Sequence, residues 1–150
     1  MDAKQMKEDI GSVLKEWTLT YLQNRDLLTR TIVSVAKDKD GWDLVITTKT
    51  EPRYVKIVPD LAVLNQVIGK FDDNNVLIVT LNTKSNIDLL ASQWTDVIGF
   101  KKLNIMFVNP NSNQDKKWVI LPHIHERISE RKALKLGLMS LFSNVDEYVD

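Results

Sequence analysis

The chain has 150 residues, of which 20 are Lys or Arg and 20 are Asp or Glu, so its formal net charge is zero. This length predicts a single domain over residues 1–150, and the balanced charge removes a strong basic excess as evidence for nucleic-acid binding. The lack of cysteine excludes disulfides, thiolate metal sites and cysteine nucleophiles.

The N-terminal segment lacks the apolar h-region of a signal peptide. MDAKQMKEDIGSVL is charged and polar, and no run in the chain approaches the roughly 18 apolar residues of a membrane helix. We therefore expect a cytoplasmic protein without a signal peptide and without membrane contact. Apolar residues at helical spacing then predict a first amphipathic helix over residues 4–24.

The next segment predicts a three-stranded meander. Two β-branched runs flank DKDG at residues 38–41, and Asp-Gly is a strong hairpin signal. A third short run, residues 53–58, lies between two prolines, Pro52 and Pro59.

The middle of the chain predicts a parallel crossover unit. After a short helix at residues 61–71, the runs VLIVTL (76–81) and LNIMFV (103–108) are apolar on both faces, as buried parallel strands are. The helix between them is predicted to begin at a capping box formed by Ser85 and Asp88 and to end at Gly99. Strand, helix and strand in this order predict a right-handed crossover.

The last third of the chain predicts one more strand and one more helix. WVIL (118–121) continues the sheet after a polar loop, and Ser129 is expected to cap the final helix. The whole pattern predicts the α/β class, as a three-layer mixed β-sheet flanked by helices.

The meander resembles part of a known nuclease superfamily. GWDLVITTKTEPRYVKIV, residues 41–58, is similar to the segment where the restriction-endonuclease-like superfamily, the PD-(D/E)XK nucleases, carries a metal-binding Asp on its second strand and a Glu-x-Lys pair on its third. The order of elements over residues 4–108 is similar as well. The resemblance implies a restriction-endonuclease-like core with an extra C-terminal strand and helix. It also implies Asp43 as the metal-binding Asp and Lys56 as the catalytic lysine, with Mg²⁺ or Mn²⁺ held between the carboxylates.

The third strand departs from the family pattern. When YVKIV is aligned with the family's YVEVK, Lys56 replaces the Glu and Val58 replaces the Lys; after a shift of two residues, Tyr54 replaces the Glu. The second carboxylate is missing in either alignment, although Glu8 or Glu16 on the first helix could supply an acid. From the sequence alone, a turn-flanking role of Asp43 on an exposed strand end is favoured over metal binding. We therefore expect a degenerate site with no cofactor.

Both histidines lie in the segment that follows WVIL. If the strand continued, His123 and His125 would lie on one face of it and could bind Zn²⁺ or Mn²⁺ with a third ligand from elsewhere. The alternative is a solvated strand end, or a pH-responsive patch of polar contacts.

A basic run follows the histidines. Its members, which could contact phosphates, are Arg127, Arg131, Lys132 and Lys135. Glu126 and Glu130 dilute this charge, so a solvated helix face is the alternative.

The sequence therefore favours a nuclease-like fold that binds nucleic acid or a protein without cleaving it. The first alternative is a divergent metal-dependent nuclease that uses Asp43, Lys56 and Glu16. The second is a structural or assembly module without ligand chemistry, for which a homodimer is one possible state.

Overall fold

The protein contains a six-stranded mixed sheet in which the order of the strands across the sheet is their order in the chain. The computed structural model describes residues 9–112 and 117–149. The strands are β1 (Ile32–Lys39), β2 (Trp42–Thr48), β3 (Arg53–Ile57), β4 (Asn75–Leu81), β5 (Asn104–Val108) and β6 (Lys117–Ile120). Strands β1, β2 and β3 are antiparallel neighbours, β3, β4 and β5 are parallel, and β6 is antiparallel to β5.

Helices cover both faces of the sheet. They are α1 (Ile10–Thr29), α2 (Leu64–Val67), α3 (Lys84–Ser92), α4 (Trp94–Val97), α5 (Pro122–Ile128) and α6 (Leu134–Phe142). Short 3₁₀ turns flank α2 at Leu61–Val63 and Ile68–Lys70, and a third, Arg131–Ala133, precedes α6. The predicted α/β class with a mixed sheet between helices is confirmed.

The two faces of the sheet carry separate apolar cores. On one face, Leu14 and Leu22 of α1 pack on the strands in a cluster with Leu44, Val55 and Val79. The other face holds a larger cluster to which α2, α3, α4 and α6 contribute. Its members include Leu64, Ile87, Trp94, Leu138 and Phe142 from the helices, and Ile78, Ile105, Phe107, Trp118 and Ile120 from the strands. Among the described helices, only α1 packs on the first face. The edge strands that α1 does not reach are therefore partly exposed on that face.

The β1–β2 hairpin closes as Asp-Gly predicts. Lys39 pairs with Trp42 across the turn, and both central residues have positive φ, 54° at Asp40 and 84° at Gly41. A type I′ turn needs positive φ at both positions, and its twist matches that of the strands it joins. Asp tolerates this conformation and Gly adopts it without strain.

The helices differ from the predicted ones in their bounds. The first helix extends to Thr29, five residues beyond the predicted end at 24, and the predicted part before residue 9 lies outside the described residues. The predicted single helix from Ser85 to Gly99 consists of α3 and α4, and its N-cap is Thr83, whose hydroxyl accepts a hydrogen bond from the Asn86 backbone N–H. Ser129 does not cap the last helix, because that helix begins only at Leu134.

The histidine segment is a helix, not the end of a strand. Pro122 takes the first position of α5, where its missing N–H costs nothing and its fixed φ suits the helix. The prediction that His123 and His125 share a strand face is therefore wrong. No helix in the described ranges has the length and apolar character that a bilayer span requires.

Candidate functional site

Asp43 and Lys56 lie on neighbouring strands but bind backbone groups. The register pairs Leu44 with Val55, so Asp43 and Lys56 occupy the next position along β2 and β3. The Asp43 carboxylate accepts a hydrogen bond from the Ile57 backbone N–H at 2.7 Å. The Lys56 ammonium donates to the carbonyl oxygen of Gly41 at 2.9 Å. Both side chains thus form hydrogen bonds with backbone groups at the end of the meander that contains the β1–β2 turn.

No further acid joins this pair in the described residues. Glu16 lies on α1, which covers the face of the sheet that holds Leu44, and its carboxylate pairs with Lys37 of β1 at 3.1 Å. Glu8 lies outside the described residues. Across the ranges that the structure describes, no three His, Asp or Glu side chains form a group that could hold a metal ion.

The two histidines point to different surroundings on α5. Residues two positions apart on an α-helix point in directions about 200° apart around its axis. The two imidazole rings therefore cannot bind the same metal ion from one face of the helix. Nδ1 of His123 is 2.8 Å from the carbonyl oxygen of Ile98, and the His125 ring packs edge-to-face on Trp94 with centroids 5.6 Å apart. Both rings therefore contribute to packing between α5 and the segment that holds α4.

Three of the four basic residues around α5 and α6 are ion-paired. Arg131 bonds to Glu126, Lys132 lies 3.7 Å from Glu130, and Lys135 lies 2.8 Å from Asp88. The hydrogen bonds that Arg131 and Trp94 donate lower the pKa of Glu126 and keep it charged. Arg127 alone of the predicted set has no carboxylate partner in the described part of the chain. Little unpaired positive charge therefore remains on the surface around α5 and α6 to bind phosphates.

The chain itself covers part of the carboxyl edge of the parallel strands. In α/β sheets ligands commonly bind at this edge, where β4 and β5 end. Here residues 145–148 lie across it: Val145 is buried, the Tyr148 backbone N–H donates to the Asn82 carbonyl, and the Glu147 carboxylate accepts from the Lys84 N–H at the start of α3. A carboxylate of the protein therefore occupies the positive end of this helix.

A groove with different chemistry runs along the exposed side of α1. It has a volume of about 550 Å³ and is called the α1 groove below. Its lining residues are Glu16, Trp17, Thr20, Tyr21, Asn24, Arg25 and Lys117. The last of these begins β6, so the groove lies between α1 and the edge of the sheet that α1 leaves uncovered.

Two aromatic rings and two cations lie together in the α1 groove. Trp17 and Tyr21, one helical turn apart, stack with centroids 5.4 Å apart and an interplanar angle of 18°. The Lys117 ammonium lies 4.5 Å from the centre of the Tyr21 ring, and Arg25 donates to the Tyr21 hydroxyl at 3.2 Å. Among the described residues neither cation pairs with a carboxylate, and the one acid of the lining, Glu16, is bound to Lys37.

No family model, curated protein or solved structure matches this chain. In the α1 groove, stacked aromatic rings meet cations that have no carboxylate partner among the described residues.

No expectation from the sequence pointed to this groove. Trp17 and Tyr21 belong to the apolar spacing that predicts the first helix, and both residues do pack partly against the sheet. Lys117 is far from Tyr21 in the chain, and the two residues come together only because β6 is part of the folded sheet. The spacing of Trp17, Tyr21 and Arg25 by four residues was the available signal, because it places two rings and a cation on one side of a helix.

Proposed function

We propose that the protein is a nucleic-acid-binding module that has a restriction-endonuclease-like core without a complete catalytic site. Single-stranded DNA or RNA is proposed to lie along the α1 groove. The observation that carries the proposal is the stacked Trp17–Tyr21 pair flanked by Arg25 and Lys117.

Stacked rings beside cations match the chemistry of a single strand. Unpaired bases offer π-faces that stack on aromatic side chains, and each such stack contributes about 1–3 kcal/mol. The phosphates between the bases need positive charge at a spacing of several ångströms. Lys117 at the Tyr21 ring and Arg25 at its hydroxyl supply that charge at the Tyr21 end of the aromatic pair.

The strand order supports the nuclease-like core as part of the proposal. A helix precedes an antiparallel meander, and β3 continues through a short helical crossover into the parallel β4. This is the order of elements that the resemblance implies. The hydrogen bonds of Asp43 and Lys56 to backbone groups support a structural role for both side chains rather than metal chemistry.

Binding of a labelled single strand of about 15 nucleotides, followed by fluorescence anisotropy, tests the proposal. We expect wild type to bind DNA or RNA strands, with an affinity that falls as salt rises. Tyr21→Leu keeps an apolar side chain against the sheet but removes the stacking ring, so it should weaken binding about tenfold. Lys117→Ala should reduce the slope of log K against log salt by about 0.7, the share of one phosphate contact on a single strand.

Arg127→Ala is the matched control. It removes one exposed arginine outside the α1 groove and should leave binding unchanged. If Arg127→Ala weakens binding while Tyr21→Leu does not, the strand lies on the α5–α6 surface and the groove assignment is wrong. If wild type binds no single strand at low salt, the proposed function is wrong.

A further inference from the structure

The side of α1 that carries Trp17 and Tyr21 continues past the α1 groove to the end of the helix. An α-helix turns about 100° per residue, so residues spaced by four, three and four positions lie within a sector of about 60° around its axis. Four residues of α1 have this spacing and are called the α1 track below: Trp17, Tyr21, Asn24 and Leu28. The first three line the groove, and Leu28 lies one helical turn beyond Asn24. The track is therefore about 16 Å long from its first residue to its last.

Leu28 does not contribute to the packing of the fold. Of the large apolar side chains in the described ranges it is the most exposed, at 94%, and it belongs to neither of the two apolar cores. A leucine in water gains free energy when a ligand covers it. An exposed leucine at the end of the track is thus available for an apolar contact that the folded chain itself does not make.

The track offers polar and apolar contacts, and none of its four residues is an acid. The amide of Asn24 has no hydrogen-bond partner among the described residues, so its donors and its acceptor are available to a ligand. Asp26 is the only acid in the sequence between Trp17 and the end of α1. It lies on the opposite side of the helix from Leu28, where backbone N–H groups bind its carboxylate. From Trp17 onward, no carboxylate of α1 therefore lies on the track to repel a phosphate.

We propose that the α1 track is one continuous binding surface for single-stranded nucleic acid, and that Leu28 makes the last contact by packing on the face of a base. This inference rests on the proposed function. The faces of bases are apolar, and leucine is among the side chains that proteins insert against or between neighbouring bases. Because α1 ends at Thr29, a nucleic-acid strand that follows the helix leaves it at Leu28. The binding site thus extends one helical turn beyond the groove.

Two exposed leucines that are neighbours in the chain test the inference. Leu27 is 70% exposed, but it lies about 100° from Leu28 around the helix and off the track. Leu28→Ala and Leu27→Ala remove the same atoms, and neither removes a buried side chain, so both variants should fold. We expect Leu28→Ala to weaken binding of the labelled strand of about 15 nucleotides about fivefold, and Leu27→Ala to leave it unchanged. The loss in Leu28→Ala should be the same at low and high salt, because leucine contacts no phosphate.

The outcomes separate the two proposals. If wild type binds the nucleic acid and the two alanine variants bind it equally, Leu28 is not part of the site, whereas the groove assignment stands. If wild type binds no single strand, both proposals are wrong. Light scattering gives the molar mass of wild type and of both variants at the assay concentration. If wild type is a dimer that Leu28→Ala dissociates while binding of the nucleic acid is unchanged, a second copy of the chain covers Leu28 and the inference is wrong.

Discussion

The buried Asn82 links several segments at the carboxyl edge of the sheet. The Asn82 side chain is fully buried; its amide donates to the carbonyls of Phe142 and Val145, and its oxygen accepts from the Trp118 indole N–H at 2.8 Å. A carboxamide has donors and an acceptor on one small group, so one residue forms hydrogen bonds with three partners from distant parts of the chain. Asn82 thus joins the end of β4, the start of β6 and the segment after α6.

We expect Asn82→Ala to lower the free energy of unfolding by about 2–4 kcal/mol. The substitution leaves the Trp118 N–H and the Val145 carbonyl buried without the Asn82 hydrogen bonds, and each such group costs about 1–3 kcal/mol. Urea titration followed by tryptophan fluorescence measures the effect. Asn65→Ala, at an exposed position of α2, should change stability little; equal effects of the two variants would contradict the role given to Asn82.

At the scale of elements, the hairpin turn depends on one glycine. Gly41 has a φ of 84°, which costs a residue with a Cβ about 1–2 kcal/mol. We expect Gly41→Ala to destabilise the protein by about that amount, measured by thermal or urea unfolding. The added Cβ would also meet the Lys70 ammonium, but this is the end of a flexible side chain that can move away.

Gly69→Ala is the matched control for the turn. Gly69 has ordinary backbone geometry, and an added Cβ would meet nothing within 4 Å. The substitution should leave stability unchanged or raise it slightly, because alanine restricts the unfolded chain. Equal loss in both variants would mean that the turn conformation is not the cause.

The elements that could be predicted are those with strong local signals. Asp40-Gly41 predicted the hairpin, and VLIVTL predicted the buried β4 almost to the residue. The segment after WVIL was misassigned because a short apolar run followed by alternating polar residues fits a strand end and a helix start equally well. Pro122 was the missed signal, since proline favours the first position of a helix.

At the scale of the whole molecule, functional residues were harder to predict than the fold. The sequence identified Asp43 and Lys56, and the structure does bring their strands side by side. The sequence could not show that both side chains bind backbone groups, because such contacts depend on the register of β2 on β3 and on the turn between β1 and β2. For the same reason, the meeting of Lys117 with Tyr21 could not be predicted from spacing.

We expect the purified protein to cleave neither DNA nor RNA in the presence of Mg²⁺ or Mn²⁺. Asp43 accepts a hydrogen bond from Ile57 N–H, so Asp43→Ala should instead lower the free energy of unfolding by about 1 kcal/mol. Gel assays with wild type and Asp43→Ala, together with urea titrations of both, measure these effects. Metal-dependent cleavage that disappears in Asp43→Ala would show that the divergent-nuclease alternative is correct.

The sequential strand order has a consequence for how the molecule is made. Because each strand lies beside the one that precedes it in the chain, every new strand emerging from a ribosome finds its pairing partner already synthesised. The sheet can therefore grow from the β1 edge during translation, because each new strand pairs with its neighbour in sequence rather than with a distant segment. The contact between Asn82 and the segment after α6 spans 60 residues or more and must form last. Nascent chains stalled before that segment should then already protect β1 to β4 from proteolysis, while the carboxyl edge remains open.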